Sequence, residues 1–143
     1  MLYNNCTGGS LFQINSSPVT YTNNTIKYNQ CSSSSLLSSN GTLTFTGNTI
    51  TSNTAPTIFS LSTKTVTLQR NGIVNPASTY ELRNEILITG SPTKLTADYN
   101  YWGYNQFPSI MSRIYDYYAN SLYDITIISP YLTVEDINSD ITA

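Results

Sequence analysis

Glu81 and Glu85 stand four residues apart with Arg83 between them, and a pair of carboxylates is what glycoside hydrolysis uses. In a strand the two would share a face at a separation of about 13 Å, too wide for either the retaining or the inverting arrangement. They are therefore expected to be exposed charges beside Arg83. The chain has no His, which removes Ser-His-Asp and Cys-His nucleophile systems and most transition-metal sites. Two cysteines without a His or a further Cys make no zinc site. Asp98, Asp116, Asp124, Asp136 and Asp140 are scattered, mostly through the C-terminal part. Arg113 and Asp116 have helical spacing, which predicts a surface ion pair. The sequence thus assigns no catalytic residue, no cofactor and no metal ligand, and the expectation is a non-enzymatic protein.

The elements that would position these groups follow from composition. The chain has 143 residues, enough for one modest domain with a core, and only 10% of them are charged, for a formal net charge of -2. Ser, Thr and Asn number 56 and Tyr 12, so an uncharged polar surface surrounds β-branched and aromatic residues that favour strands. Six Lys and Arg spread along the chain do not form the concentrated patch that nucleic-acid binding requires. No apolar run of 18 residues occurs, so no membrane span is expected. The first residues show neither the basic stretch nor the apolar run of a signal peptide.

A repeat organises the chain. Val19, Tyr21, Asn24 and Ile26 follow the pattern aliphatic-x-apolar-x-x-Asn-x-apolar, as do Leu43, Phe45, Asn48 and Ile50, then Val66, Leu68, Asn71 and Ile73, and finally Leu95, Ala97, Asn100 and Trp102. A second element at Leu11, Leu36, Ile58 and Leu82 falls between them. The period is about 24 residues, which predicts an all-β solenoid of stacked parallel strands with about four coils. Asn tolerates the left-handed conformation that a coil corner needs. Stacked about 4.8 Å apart, Asn24, Asn48, Asn71 and Asn100 would pair their amides as a ladder.

Thr20-Tyr21-Thr22-Asn23-Asn24-Thr25-Ile26 and Thr44-Phe45-Thr46-Gly47-Asn48-Thr49-Ile50 resemble the coil repeat of the right-handed parallel β-helix superfamily, the pectate-lyase-like fold. Ala97-Asp98-Tyr99-Asn100-Tyr101-Trp102-Gly103 is similar to the Asn-x-Trp-Gly motif that closes the last coil of many surface β-helix proteins. Ser129-Pro130-Tyr131-Leu132 stands where such proteins carry a Pro-aromatic-Leu tail. The resemblance covers about residues 10 to 132 and implies a right-handed coil. It is not specific for function, because the fold hosts enzymes, adhesins, spikes and passive surface proteins. The polysaccharide-cleaving members use neighbouring Asp residues with Gly-His-Gly, or clustered Asp ligands with an Arg, and this chain has neither pattern.

Residues 1–103 are read as coils and 104–143 as a cap, with a longer loop near 72–80 or 90–94. Within the cap, Ile110, Met111, Ile114 and Tyr117 predict a short helix, and Leu122 to Ser129 a strand with Ile125 and Ile127 on one face. Cys6 and Cys31 lie 25 residues apart, one coil period, which predicts a disulfide between adjacent coils. Asn5, Asn15, Asn23 and Asn40 head N-x-Ser/Thr signals for N-glycosylation. Together these point to an extracellular or cell-surface glycoprotein with a structural, adhesive or fibre-forming role. The alternative is the C-terminal part of a polysaccharide-active enzyme or spike whose catalytic coils lie upstream. The short polar start implies either upstream coils or self-association end to end. Tyr99, Tyr101, Tyr104, Tyr115, Tyr117 and Tyr118 form a candidate aromatic patch for carbohydrate or a protein partner.

Overall fold

The computed structural model describes residues 4–63, 65–91 and 94–134; Asp136 and Asp140 lie outside them. Short strands rich in Thr, Ile, Leu and Phe are separated by corners. The first level holds β1 (Asn5–Cys6), β2 (Phe12–Ile14), β3 (Val19–Thr22) and β4 (Thr25–Lys27), and the second β5 (Gln30–Cys31), β6 (Ser35–Ser39), β7 (Leu43–Thr46) and β8 (Thr49–Thr51). The third holds β9 (Thr57–Leu61), β10 (Val66–Gln69) and β11 (Gly72–Val74). Then come β12 (Tyr80–Asn84), β13 (Lys94–Thr96), the helix α1 (Phe107–Met111), β14 (Ile114–Tyr115) and β15 (Ile125–Ile127).

Strands one period apart pair in parallel and in register. Val19 lies beside Leu43 and Leu43 beside Val66; Ile26 lies beside Ile50 and Ile50 beside Ile73. Three stacks result: β2-β6-β9-β12-β14, β3-β7-β10 and β4-β8-β11. The molecule is an all-β solenoid of about three turns, one fewer than the repeat implied. The fourth copy is buried at Leu95, Ala97, Asn100 and Trp102, yet its strand β13 pairs with β15 from the tail. Tail residues complete this level in place of a regular coil.

The interior is filled by the inward apolar side chains of each strand: Leu37, Leu43, Phe45, Ile50, Phe59, Leu68, Ile73 and Leu82 are all essentially inaccessible. Phe12, Tyr21, Phe45 and Phe59 form a run of edge and tilted aromatic contacts, with centroids 5.8, 5.5 and 5.1 Å apart.

The corners are held by amides. The main-chain N–H and Nδ2 of Asn24 both donate to Oδ1 of Asn48, at 2.8 and 3.1 Å. Asn48 donates in the same way to Asn71, and Asn71 to Asn100. The left-handed residue is not the ladder asparagine, as expected from its tolerance of that conformation, but the residue before it: Asn23, Gly47, Arg70 and Tyr99 all have φ between 54° and 68°. Each of Asn24, Asn48 and Asn71 also donates Nδ2 to the carbonyl two residues back, on Thr22, Thr46 and Gln69. That bond brackets the left-handed residue and offsets a strain of about 1 kcal/mol in the non-glycine cases.

A second ladder, absent from the sequence reading, runs parallel to the first. Asn4 donates to Asn29, Asn29 to Asn53 and Asn53 to Asn75, each through its main-chain N–H and Nδ2 onto the next Oδ1. Tyr28 and Ser52, just ahead of Asn29 and Asn53, are again left-handed.

Several expectations are corrected in the tail. The helix stops at Met111, and Ile114–Tyr115 is a strand on Leu82–Arg83; completing the edge of β12 outweighs local helical spacing. Residues 125–127 alone are strand within 122–129. There the buried side chain is Thr126, while Ile125 and Ile127 are half-buried. Arg113 pairs with Glu81 at 3.2 Å, not with Asp116. Asp116 is buried and accepts from the main-chain N–H of Tyr118 and of Thr126.

Replacing Asn71 by Ala leaves both donors of Asn48 without their buried acceptor. The expected cost is about 3 kcal/mol. Asn24→Ala, at the exposed end of the same column, is expected to cost less than about 1 kcal/mol. Urea unfolding of both variants at unchanged slope measures the difference.

Candidate functional site

The carboxylates have structural employment. Glu81 is only 2% exposed, against the expectation of a surface charge. Its Oε1 accepts from the main-chain N–H of Asn75 at 2.6 Å, and its Oε2 from Asn75 Nδ2 at 2.9 Å. Glu81 thus stands where the second ladder would have its next asparagine and terminates that ladder. Arg113 closes the arrangement by donating to Glu81 and to the carbonyl of Asn75. A carboxylate is suited to the position because it offers acceptors only, and two donors arrive together. Trp102, Gly103, Tyr104 and Arg113 line a cavity of about 140 Å³ beside Glu81. Gly103 has φ +81°, and a Cβ there would come within 3.1 Å of Val74, so the Trp-Gly turn requires glycine.

Glu85 is different. It is half-buried, pairs with Arg83 at 2.9 Å and accepts from Ser60 Oγ. The strand register brings these groups onto one outward-facing line. Gln13 lies beside Ser38, Ser38 beside Ser60, Ser60 beside Arg83, and Arg83 beside Tyr115. Within β6, β9 and β12 these central positions are half-exposed while their neighbours on either side are buried. The Arg83 guanidinium lies 4.4 Å from the centre of the Tyr115 ring, a cation–π distance. Tyr115 packs on Tyr80 and Tyr123. Ser33, Ser34, Ser38, Ser60, Arg83 and Glu85 line an open groove of about 260 Å³ along this line. The groove thus offers serine hydroxyls and the Arg83–Glu85 charged pair, with the face of Tyr115 covered by the guanidinium.

The six tyrosines considered as one patch are divided. Tyr115 lies under the Arg83 guanidinium beside the groove, and Tyr99 lies against Arg70. Tyr117 and Tyr118 contact each other edge-on, with Tyr118 74% exposed. Tyr118, Phe107 and Met111 line a cavity of about 480 Å³ on the cap. Tyr101 bridges Gly72, and Tyr104 is exposed at the Trp102 corner.

Cys6 and Cys31 form a disulfide between β1 and β5, where they are register partners with Cα atoms 4.6 Å apart. Asn5, Asn15, Asn23 and Asn40 are all exposed. No helix among the described residues is long and apolar enough to cross a membrane. Comparison with known proteins finds no matching family model, no matching curated protein and no matching solved structure.

Glu81→Gln sets an amide NH₂ against a donor of Asn75 and removes the charge facing Arg113. A loss of about 3 kcal/mol is expected, whereas Glu85→Gln, half-exposed, is expected to cost less than about 1 kcal/mol. Chemical denaturation of both variants compares them. Cys6→Ser with Cys31→Ser is expected to cost about 3 kcal/mol through the freed 25-residue loop, read as a fall in thermal midpoint.

Proposed function

We propose that this protein is a non-enzymatic extracellular β-solenoid module with a structural and adhesive role. The observation that carries the proposal is the use made of its polar groups. The described carboxylates bond to the protein itself: Glu81 ends a ladder, Glu85 pairs with Arg83, Asp98 accepts from Gln69, and Asp116 and Asp124 bond main-chain N–H groups of the tail. The Cys6–Cys31 disulfide favours an oxidising compartment. The exposed Asn5, Asn15, Asn23 and Asn40 are accessible acceptors for N-linked glycans.

Adhesion is assigned to the groove along Ser38, Ser60 and Arg83, whose guanidinium Tyr115 supports from beside it, with a polysaccharide as ligand. The likeness of the coil repeat and of the Asn100-Tyr101-Trp102-Gly103 corner to surface β-helix proteins of the pectate-lyase-like class, and with it a right-handed coil, belongs to the same reading.

A panel of neutral and acidic polysaccharides tests it by two measurements, retention in affinity electrophoresis and release of reducing ends. Retention without cleavage is expected, weakened at least about tenfold by Tyr115→Ala and by Arg83→Ala. Release of reducing ends that Glu85→Gln abolishes would overturn the proposal in favour of an enzyme.

A further inference from the structure

Threonine recurs on one face of the solenoid in two directions. In the stack β3-β7-β10 the apolar side chains alternate inward, so the residues between them point outward. Thr20, Thr44 and Thr67 are register partners, and so are Thr22, Thr46 and Gln69. Thr42 and Thr65 hold the preceding alternate place on the second and third levels, where Leu43 N–H donates to the carbonyl of Thr65. In the fourth copy of the repeat, Thr96 holds the place of Thr67, flanked by Lys94 and Asp98. All of these threonines are exposed or half-exposed. Among the described residues, none of their hydroxyls is bonded within the protein. On the neighbouring stack, by contrast, Ser60 bonds Glu85, and Ser10 bonds Ser34 and Ser35. The outward places of β3, β7 and β10 carry no charge and no aromatic ring.

We propose that this face binds ice, its rows of hydroxyls and methyls lying along the rows of water molecules at the crystal surface. Neighbouring levels repeat at about 4.8 Å, and alternate residues along a strand at about 6.6 Å. The oxygen rows of an ice crystal are periodic in two directions, with spacings close to these. A partner that repeats with the face meets all of its rows at once, which multiplies contacts that are weak singly. Threonine suits the task on three counts. Its β-branch restricts χ1, so the rows are ordered before contact. Its hydroxyl donates and accepts, as water does. Its methyl gains from removal from liquid water. A sugar ring would instead be met by an aromatic side chain, and the outward places offer none. The inference goes beyond the adhesive reading and concerns a different stack from the groove.

Nanolitre osmometry of the full chain, with its disulfide formed, tests the proposal. N-glycans are removed first, because Asn23 and Asn40 border the face. A gap between melting and freezing points that grows with protein concentration is expected, with faceted ice crystals. Thr44→Lys, at the centre of the face, and Thr67→Lys, at an exposed place, should each reduce the gap at least about fivefold. Thr51→Lys, half-exposed on β8 of the adjoining stack, should leave it unchanged. Circular dichroism and thermal melting verify that the variants stay folded. No gap, with unshaped ice crystals, overturns the inference. So does a gap that neither Thr44→Lys nor Thr67→Lys reduces, or that Thr51→Lys reduces as much. Retention on crystalline cellulose or chitin that the two face variants weaken, without any effect on ice, overturns it in favour of a polysaccharide surface. The groove reading is decided separately, by Arg83→Ala and by product release.

Discussion

A buried amide must find partners, and here it finds them on neighbouring coils. Asn48, Asn53, Asn71, Asn75 and Asn100 are wholly inaccessible, where an unpaired polar group would cost several kcal/mol. Each is satisfied by the asparagine one period away and by nearby carbonyls. The consequence is a fold whose period cannot drift. A coil one residue too long on the corner side would misplace the amide and turn its apolar side chains outward. The left-handed residues ahead of the ladder positions are tolerated because the same amides bracket them. Arg70 and Tyr99, poor choices for φ near 54°, become acceptable for this reason.

The same economy explains the acidic residues. A column of donors running one way must end on something that accepts without donating. Glu81 does this for the second ladder, with Arg113 balancing its charge. A buried ion pair of this kind is a weak source of net stability, but removing one partner is costly. Its value here is positional: it fixes where β14, the end strand of the five-stranded stack, lies against β12.

Much of the architecture could be read from the residues. The aliphatic-x-apolar-x-x-Asn pattern located β3, β7 and β10 and the first ladder, because inward side chains alternate strictly in a strand. The second ladder was equally written, as Asn4-x-Cys6, Asn29-x-Cys31 and Asn53-x-Ala55. It carries no apolar signature, because small residues, not large apolar ones, follow those asparagines. The tail was the least legible part. Ile110, Met111 and Ile114 have helical spacing, yet the exposed edge of β12 captures Ile114 into the sheet, a long-range demand that local spacing does not record. The partner of Arg113 was hidden likewise, since Glu81 is 32 positions away in sequence. The line Ser38-Ser60-Arg83-Tyr115 became visible only once register was known, because its members share no motif.

The Cys6–Cys31 disulfide ties the first described level to the second. Without a covalent tie the first level would open ahead of the second, since Phe12, Val19, Tyr21 and Ile26 are only half-buried where Leu37, Leu43, Phe45 and Ile50 are inaccessible. Cross-linked to β5, it cannot peel away alone, and opening it must disturb the second level as well. Amide hydrogen exchange should therefore not fade gradually towards the first coil but fall in one step shared by the first two, making them a single cooperative unit.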